Sequence, residues 1–464
     1  MSSNKKNRFM KNLVFFTIAF ASFITNAQGP AITNWLQNTT EVGSYYTQGN
    51  STAVSNNILV NCQVVEYSDN WVYVSTNGVP SYPTGPFLDG NPSNAQSQDA
   101  IYRFLLAPVE KTGPKTETNA GNIGNFINGV SLFDYRDGVA WNPNTNSFCG
   151  GPGNPPCPGG PSAEQDWNRD AVVYELGGFD CAKGHPAMGN YHHHQNPSAF
   201  KLDIEVLSTI CNLYDADGLY TINPNEHSPL IGYANDGFPI YGAYGFINTD
   251  GSGGVTRILS GYQLRNITIR NTHADGSSVS LGAPIDTTYP LGTFREDYQW
   301  VSHPGETQYV DEHNGRFAAT PEYPNGTYAY YATVNENYNS VYPYVIGPTF
   351  FGDVTSGRVD NIAEPTTVFE NPLGISEVAL SNAIISIYPN PVTDLVAIQI
   401  NTLVTKKVTL ELLDMSGKLI QTTQINAGGT IAFFDIQSLY EGIYLVKIKN
   451  GDTIITKQVI VKRD

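Results

Sequence analysis

The sequence predicts a mainly β protein in which a large β-rich unit is followed by a small C-terminal β-sandwich. Segments with strand-like patterning, such as "WVYVSTNGV" (Trp71–Val79), are separated by clusters of Gly, Pro, Asn and Asp. The last part of the chain alternates more regularly, with short apolar segments and turns at even intervals. Amphipathic helices are scarce, and we expect one short helix within "PSAFKLDIEVLSTICNLY" (Pro197–Tyr214).

The N-terminal segment has the three-part layout of a secretory signal peptide. An uncharged apolar run, "NLVFFTIAFASFI", ends in "TNA" and is preceded by four basic residues: Lys5, Lys6, Arg8 and Lys11. The run is short for a segment that spans a bilayer, which favours a signal peptide over a membrane anchor. We therefore expect cleavage after Ala27 and no transmembrane segment in the mature chain.

The chain is strongly acidic. Removing residues 1–27 takes away four basic and no acidic residues, so the formal net charge moves from −17 to −21. A surface this acidic repels nucleic acid and anionic membranes, which excludes both as expected partners. The same charge favours cationic partners such as metal ions.

The five cysteines fit an exported protein with a few disulfides. Cys149 and Cys157 flank the turn-rich loop "GGPGNPP", which we expect one bridge to close. Cys181 and Cys211 are the next candidate pair, which would leave Cys62 unpaired. None of the five has the close Cys-x-x-Cys spacing of a zinc site. The sequence does not fix the connectivity.

A change of composition after Gly352 indicates the domain organisation. Residues 353–382 are polar, interrupted by proline and weakly patterned, which predicts a linker. Beyond them, "KVTLELLD" places Val408, Leu410 and Leu412 on one face of a strand. We therefore expect four parts: a signal peptide, a β-rich unit, a linker and a C-terminal module, at residues 1–27, 28–352, 353–382 and 383–464.

The C-terminal module carries a specific set of motifs in a fixed order. They are "ISIYPNPVTD" (Ile385–Asp394), "DMSGKLI" (Asp414–Ile420), "EGIYLVKI" (Glu441–Ile448) and "KQVIVK" (Lys457–Lys462). The module resembles the C-terminal sorting domain of cargo of the bacterial type IX secretion system. The resemblance implies that the secretion machinery is a partner and that the protein ends on the cell surface or in the medium. From the residues alone, an immunoglobulin-like adhesion or spacer module is the alternative.

A second set of motifs lies in the centre of the chain. They are "GHPAMGNYHHHQNP" (Gly184–Pro197), "HSPLIGYANDGFPIYGAYG" (His227–Gly245), "DEHNGRFAATPEYPNGTYAYYATV" (Asp311–Val334) and "YPYVIGPTFFG" (Tyr342–Gly352). Their order and amino-acid sequences resemble those of the YHYH-domain family from about residue 121 to 352, which is half of the chain. This chain departs from the Tyr-His-Tyr-His motif because histidine, His193, stands at the second tyrosine. The resemblance implies no particular activity, so function has to be argued from the residues.

The histidine run at the centre of the first motif predicts a metal site. In a strand, His192 and His194 share one face with their Cα atoms about 6.5–7 Å apart, whereas His193 points to the other face. Two imidazoles at this spacing can chelate one metal ion, and the YHYH pattern keeps histidine at both positions. The alternative is that these histidines are solvated or only form hydrogen bonds with backbone groups. Ligation requires neutral rings, so occupancy should fall below about pH 6.

A metal ion needs further ligands, and three residues are candidates. His227, which opens the second motif, is the best third ligand, and His185 or Asp236 is a possible further one. Asp236 precedes a glycine, and an Asp in that position is most often a turn former. Histidine-rich ligation suits zinc or copper better than calcium or magnesium.

Two classes of function follow. The first is a metal site used in metal handling or in metal-dependent hydrolysis. The alternative is a non-catalytic surface binding module, for example for carbohydrate, because tyrosine, tryptophan and amide side chains on a β-rich scaffold suit sugar recognition. The concentration of histidine in the shared motifs favours the first class. No Gly-x-Ser-x-Gly elbow or phosphate-cradling loop points to another chemistry.

Overall fold

The structure is a computed structural model, and it describes residues 28–369 and 385–463 except 51, 89–92, 152, 159–164, 200–217, 401–403, 405–406, 427–428 and 451–452. The predicted signal peptide, most of the predicted helix and Cys211 lie outside the described residues. The helices in the described part are α1 (Pro30–Thr33), α2 (Ala171–Tyr174) and two single 3₁₀ turns, at Leu176–Gly178 and Arg295–Asp297. The prediction of a mainly β protein is confirmed.

The strands before residue 370 form several sheets. They are β1 (Val42–Tyr45), β2 (Val54–Leu59), β3 (Cys62–Tyr67), β4 (Trp71–Thr76), β5 (Ala100–Leu105), β6 (Asn122–Phe126), β7 (Ser131–Phe133), β8 (Arg136–Asn142), β9 (Ser147–Cys149), β10 (Asn168–Asp170), β11 (Gly184–Ala187), β12 (Asn190–His193), β13 (Leu230–Ala234), β14 (Pro239–Tyr241), β15 (Tyr244–Phe246), β16 (Val255–Arg257), β17 (Tyr262–Leu264), β18 (Tyr298–Trp300), β19 (Gly315–Ala318), β20 (Thr327–Tyr331), β21 (Gly357–Val359) and β22 (Thr367–Val368).

The largest sheet has eight strands in the order β11-β12-β7-β6-β13-β14-β20-β19. Its strands pair antiparallel except at β12–β7 and β14–β20, which are parallel. The middle strands β13 and β14 are buried at every residue, which is why their sequences read as apolar runs without alternation. The β11–β12 hairpin, which carries the histidine run, lies at one end of this sheet.

A five-stranded sheet, in the order β21-β5-β4-β3-β22, shares its core with the eight-stranded sheet. The ring of Trp35 contacts Phe104 of β5 at 5.2 Å and Tyr233 of β13 at 5.4 Å, between ring centroids. Phe104 is fully buried, which stabilises the fold by about 2–3 kcal/mol relative to an exposed ring. The two sheets therefore pack face to face through aromatic side chains.

The predicted linker needs a correction. Gly357–Val359 form β21, which pairs with β5, and Thr367–Val368 form β22, which pairs with β3. Phe369 is buried in the shared core. The polar segment up to Phe369 thus supplies both edge strands of the five-stranded sheet, while residues 370–382 lie outside the described residues. The other predicted boundaries stay predictions.

The C-terminal module is a small β structure with its own hydrophobic core. Its strands are β23 (Ile385–Tyr388), β24 (Leu395–Ile400), β25 (Val408–Leu413), β26 (Leu419–Ile425), β27 (Ile431–Asp435), β28 (Gly442–Asn450) and β29 (Thr453–Val461). They form two antiparallel sheets, β23-β24-β27 and β26-β25-β28-β29. Val408, Leu410 and Leu412 are all buried, as the alternation predicts. None of the helices in the described part of the chain has the length and apolar character needed to span a bilayer.

Candidate metal centre

The centre is built on the hairpin formed by β11 and β12. Met188 and Gly189 join the two strands, and both adopt positive φ, 51° and 88°. Two positive-φ residues in a two-residue loop are the geometry of a type I′ turn, whose twist matches that of paired strands. The resulting register places His185 directly opposite His192. Opposed residues of an antiparallel pair project from the same face, so the turn brings these two imidazoles together.

His194 completes a triangle of ring nitrogens. The Nε2 atoms of His185 and His192 are 3.1 Å apart, those of His192 and His194 are 3.1 Å apart, and those of His185 and His194 are 3.4 Å apart. Three nitrogens bound tetrahedrally to one zinc ion at 2.0–2.1 Å are about 3.3 Å from one another. The triangle therefore has the size that a single transition-metal ion requires. We call these three residues the histidine triad.

Backbone carbonyls set the tautomers of two triad members. Nδ1 of His192 lies 2.9 Å from the carbonyl oxygen of Asn190, and Nδ1 of His194 lies 2.6 Å from that of Asp134. A carbonyl oxygen only accepts, so each Nδ1 carries the hydrogen and donates it. The Nε2 atoms of these neutral rings then direct lone pairs at each other across 3.1 Å. This arrangement is repulsive unless a cation lies between them.

The triad is buried and uncharged at neutral pH. His185, His192 and His194 are 6%, 2% and 4% exposed. Burial lowers the pKa of His194 to about 4, and burial together with the neighbouring histidines lowers the pKa of His185 and of His192 well below the ordinary value. Protons therefore compete with a metal ion at a lower pH than the value of about 6 expected from the sequence.

Aromatic side chains form the walls of the centre. The ring of Phe133 stacks on His192 with centroids 4.0 Å apart, and Phe179 meets His185 edge-on at 4.8 Å. Phe133 comes from β7, which pairs with β12, and Phe179 follows the 3₁₀ turn after α2. These apolar walls limit the movement of the imidazoles and keep their surroundings at low polarity.

Glu175 stands beside the triad and was not singled out by any sequence motif. Its Oε2 atom is 3.4 Å from Nε2 of His185 and 3.4 Å from Nε2 of His194. Glu175 follows α2, whose first turn is capped by the buried carboxylate of Asp170. Its side chain is 29% exposed, against 7% for His185, but the Oε2 atom that faces the triad is buried.

His193 points to the opposite face of β12, as strand alternation predicts. Its Nε2 atom lies 2.7 Å from the hydroxyl of Tyr82, and its ring meets Phe126 edge-on at 5.5 Å. The side chain is fully buried, and burial lowers its pKa to about 3. His193 is therefore a neutral member of the core between the two sheets.

The structure does not bring His227 or Asp236 to the triad, so the expectation that either completes the site is corrected. In the described part of the chain, the histidine cluster that could hold a metal ion consists of the triad alone. Nδ1 of His227 donates to the carbonyl of Ser228, and its ring packs on Phe246. The carboxylate of Asp236 accepts from the Tyr330 hydroxyl and from the Gly352 amide. Strands β7 and β6 separate β12 from β13, which puts about 14 Å between them.

None of the cysteines in the described part of the chain belongs to the metal-ligand cluster. Cys149 and Cys157 form a disulfide that closes the turn-rich loop, with their Cα atoms 4.8 Å apart. Among the described cysteines, Cys62 is a free thiol and is fully buried. The expected partner of Cys181, Cys211, lies outside the described residues.

Comparison with known families agrees with both resemblances. A model described as YHYH protein matches residues 101–343, and one described as Secretion system C-terminal sorting domain matches residues 386–462. The comparison with curated proteins gave no match. A β-rich unit followed by a sorting module defines an exported protein of the cell surface or the medium. The chain belongs to the YHYH protein family, whose match covers just over half of its length.

Proposed function

We propose that this exported protein binds one transition-metal ion, zinc or copper, through the Nε2 atoms of His185, His192 and His194. The observation that carries the proposal is the nitrogen triangle with edges of 3.1–3.4 Å, in which two hydrogens are held away from the centre by carbonyls. Neutral imidazole nitrogens are preferred ligands of zinc and copper, whereas calcium and magnesium prefer oxygen.

A purely structural histidine cluster explains the geometry less well. The hydrogens of His192 and His194 are at Nδ1, so only His185 can supply an N–H group at the centre. One N–H group can be directed at only one of the two lone pairs that face it. The other lone pair would stay buried without a donor, which costs about 1–3 kcal/mol. A bound cation satisfies all three nitrogens at once.

The bound ion would serve metal handling or metal-dependent hydrolysis. Three protein nitrogens leave one of the four tetrahedral positions on zinc for a further ligand. Water at such a position ionises near neutral pH and becomes a nucleophile, which is the chemistry that hydrolysis needs. Handling of the metal requires only that it binds tightly and is released on a signal.

Elemental analysis of the purified chain tests the proposal. After exposure to zinc or copper and removal of the excess, we expect about one ion per chain in the wild type. His185→Ala, His192→Ala and His194→Ala should each lose most of it. His193→Ala, with His193→Tyr as a milder replacement at the same site, and His227→Ala should keep it. Circular dichroism of every variant verifies the fold.

Two outcomes would overturn the proposal. One is a wild-type chain that holds no metal under replete conditions. The other is equal metal loss in the triad variants and in folded His193 and His227 variants. Either result would favour the alternative of a non-catalytic binding module.

A further inference from the structure

We propose that Glu175 accepts a proton from a water molecule at the open fourth position of the metal ion, so that the centre hydrolyses a neutral acyl substrate such as an ester or amide. The inference rests on the proposed function and deepens it. It assigns a role to a carboxylate that lies 3.4 Å from two of the three proposed ligand atoms.

The distances place Glu175 just outside the set of direct ligands. In the described part of the chain, the ligand atoms that all lie within 4.8 Å of one another belong to the three histidines. The Oε2 atom of Glu175 is near His185 and His194, so it is farther than this from His192. Two ligands of one zinc ion cannot be more than about 4 Å apart, twice the bond length. Glu175 therefore lies outside the set of direct ligands, and we assign its contact with the metal to a bound water molecule.

The alternative of an ion pair with a protonated histidine is less favourable. The hydrogen of His194 is on Nδ1, because that atom donates to the Asp134 carbonyl. Its Nε2 lone pair therefore faces the carboxylate oxygen at 3.4 Å, an arrangement that a cation or a water hydrogen would relieve.

Exposure and charge indicate the class of substrate. The Glu175 side chain is 29% exposed, more than those of His185 and His194, although its Oε2 atom is buried, so we place the approach of the substrate on this side of the centre. An anionic substrate would approach a chain whose formal net charge is −17. A neutral carbonyl compound meets no such barrier.

Hydrolysis at this centre needs no reagent other than water. One O–H bond of the water breaks, and its proton moves to Oε2 of Glu175. The water oxygen forms a bond to the carbonyl carbon, and the C=O π pair moves to the carbonyl oxygen. When that pair returns, the bond to the alcohol or amine leaving group breaks, and the leaving group takes the proton from Glu175. The products are an acid and an alcohol or amine.

The decisive variant is Glu175→Gln, which keeps the shape of the side chain and removes its charge. Glu226→Gln, at an exposed glutamate before His227, is the matched control. Zinc content, hydrolysis of 4-nitrophenyl acetate and azide binding to the cobalt-substituted protein are measured for the wild type and both variants. Azide is a small anion that reports an open position on cobalt through the visible spectrum.

We expect Glu175→Gln to retain its zinc, to hydrolyse the ester about 100-fold more slowly and to bind azide about tenfold more tightly. Glu226→Gln should match the wild type in all three measurements. Loss of zinc from Glu175→Gln, as in the triad variants, would identify a direct ligand and overturn the inference. Unchanged hydrolysis and azide binding would also overturn it, as would a zinc-loaded wild type that does not hydrolyse the ester. A wild type that binds no metal would instead contradict the proposed function itself.

Discussion

His185 and His192 face each other across a two-residue turn, with their Nε2 atoms 3.1 Å apart. Both side chains, and His194 two residues further on, come from one short hairpin. The distance between the first two nitrogens is therefore set by the turn at Met188 and Gly189 rather than by packing between distant elements. Methionine is an unusual residue for a positive φ, and here it is 97% exposed at the hairpin tip.

The turn gives the first prediction. Met188→Asn should raise the free energy of unfolding by about 0.5–1 kcal/mol, because Asn-Gly is the preferred pair in a type I′ turn. Gly189→Ala should lower both stability and metal affinity, since φ is 88° there and a Cβ atom would lie 3.0 Å from the Gln96 side chain. Denaturant unfolding and metal titration measure the two effects. A less stable Met188→Asn protein would contradict the role given to the turn.

His227 gives a prediction for pH dependence. Burial lowers its pKa to about 4, whereas the unfolded chain has a value near 6.5. As pH falls from 6.5 to 4, the unfolded state binds a proton that the folded state does not, so this residue lowers stability by up to about 1.4 kcal/mol per pH unit. Above pH 6.5 it has no effect. His227→Gln should therefore lose less stability than the wild type, by about 2 kcal/mol, between pH 7 and pH 5.

Denaturant unfolding of both proteins at the two pH values measures this difference. Parallel pH profiles would show that His227 is not held neutral by burial. The metal content of the variant should stay that of the wild type.

The hydroxyl of Tyr82 is predicted to stabilise the face of the β11–β12 hairpin that carries His193. Tyr82→Phe removes the 2.7 Å hydrogen bond to Nε2 of the fully buried His193. Leaving a buried ring nitrogen without a partner should cost about 1–3 kcal/mol of unfolding free energy. Because His193 faces away from the triad, metal stoichiometry should not change. A variant that keeps its stability but loses metal would contradict the separation of the two faces.

The disulfide between Cys149 and Cys157 is predicted to form in the exported protein. Replacing both cysteines with serine should lower the unfolding free energy by about 2–3 kcal/mol, because the unfolded chain then gains the freedom of the opened loop. Peptide mapping without reduction, on protein from the native host, identifies the bridge directly. Finding both thiols free in that material would end this prediction.

Export gives the last prediction. The mature protein should begin near Gln28 and should lose the sorting module, which matches residues 386–462, outside the cell. Mass spectrometry of the protein in surface and medium fractions measures both ends. A chain that lacks residues 386–462 from the start should remain inside the cell envelope. Recovery of the intact full-length chain from the cytoplasm would contradict the prediction.

Local patterning predicted the fold class but not the arrangement of the sheets. The buried face of β25 follows from period-two alternation, which depends only on neighbouring residues. The parallel pairing of β12 with β7 joins segments about sixty residues apart, and no local signal encodes it. The edge strands β21 and β22 contain no buried residue, so their polar sequences resemble a linker.

Local patterning likewise predicted only part of the candidate site. Alternation placed His192 and His194 on one face and His193 on the other. His185 lies opposite His192 across the turn, but a Met-Gly pair is a weak turn signal, so the sequence does not predict this pairing. The sequence favours His227 as the third ligand because it opens the second motif, whereas two strands separate β12 from β13 in the sheet. Glu175 reaches the triad from the end of α2, a contact that no spacing in the sequence encodes.

The free thiol of Cys62 can report on the opening of the core around it. It lies fully buried beside Ile127, to whose carbonyl it donates, and burial raises its pKa far above the ordinary value. A thiol in this state is neither exposed nor ionised, so an alkylating dye can label it only after the two main sheets come apart. The rate of dye uptake in the native protein thus records how often this core opens, with no engineered label and no denaturant.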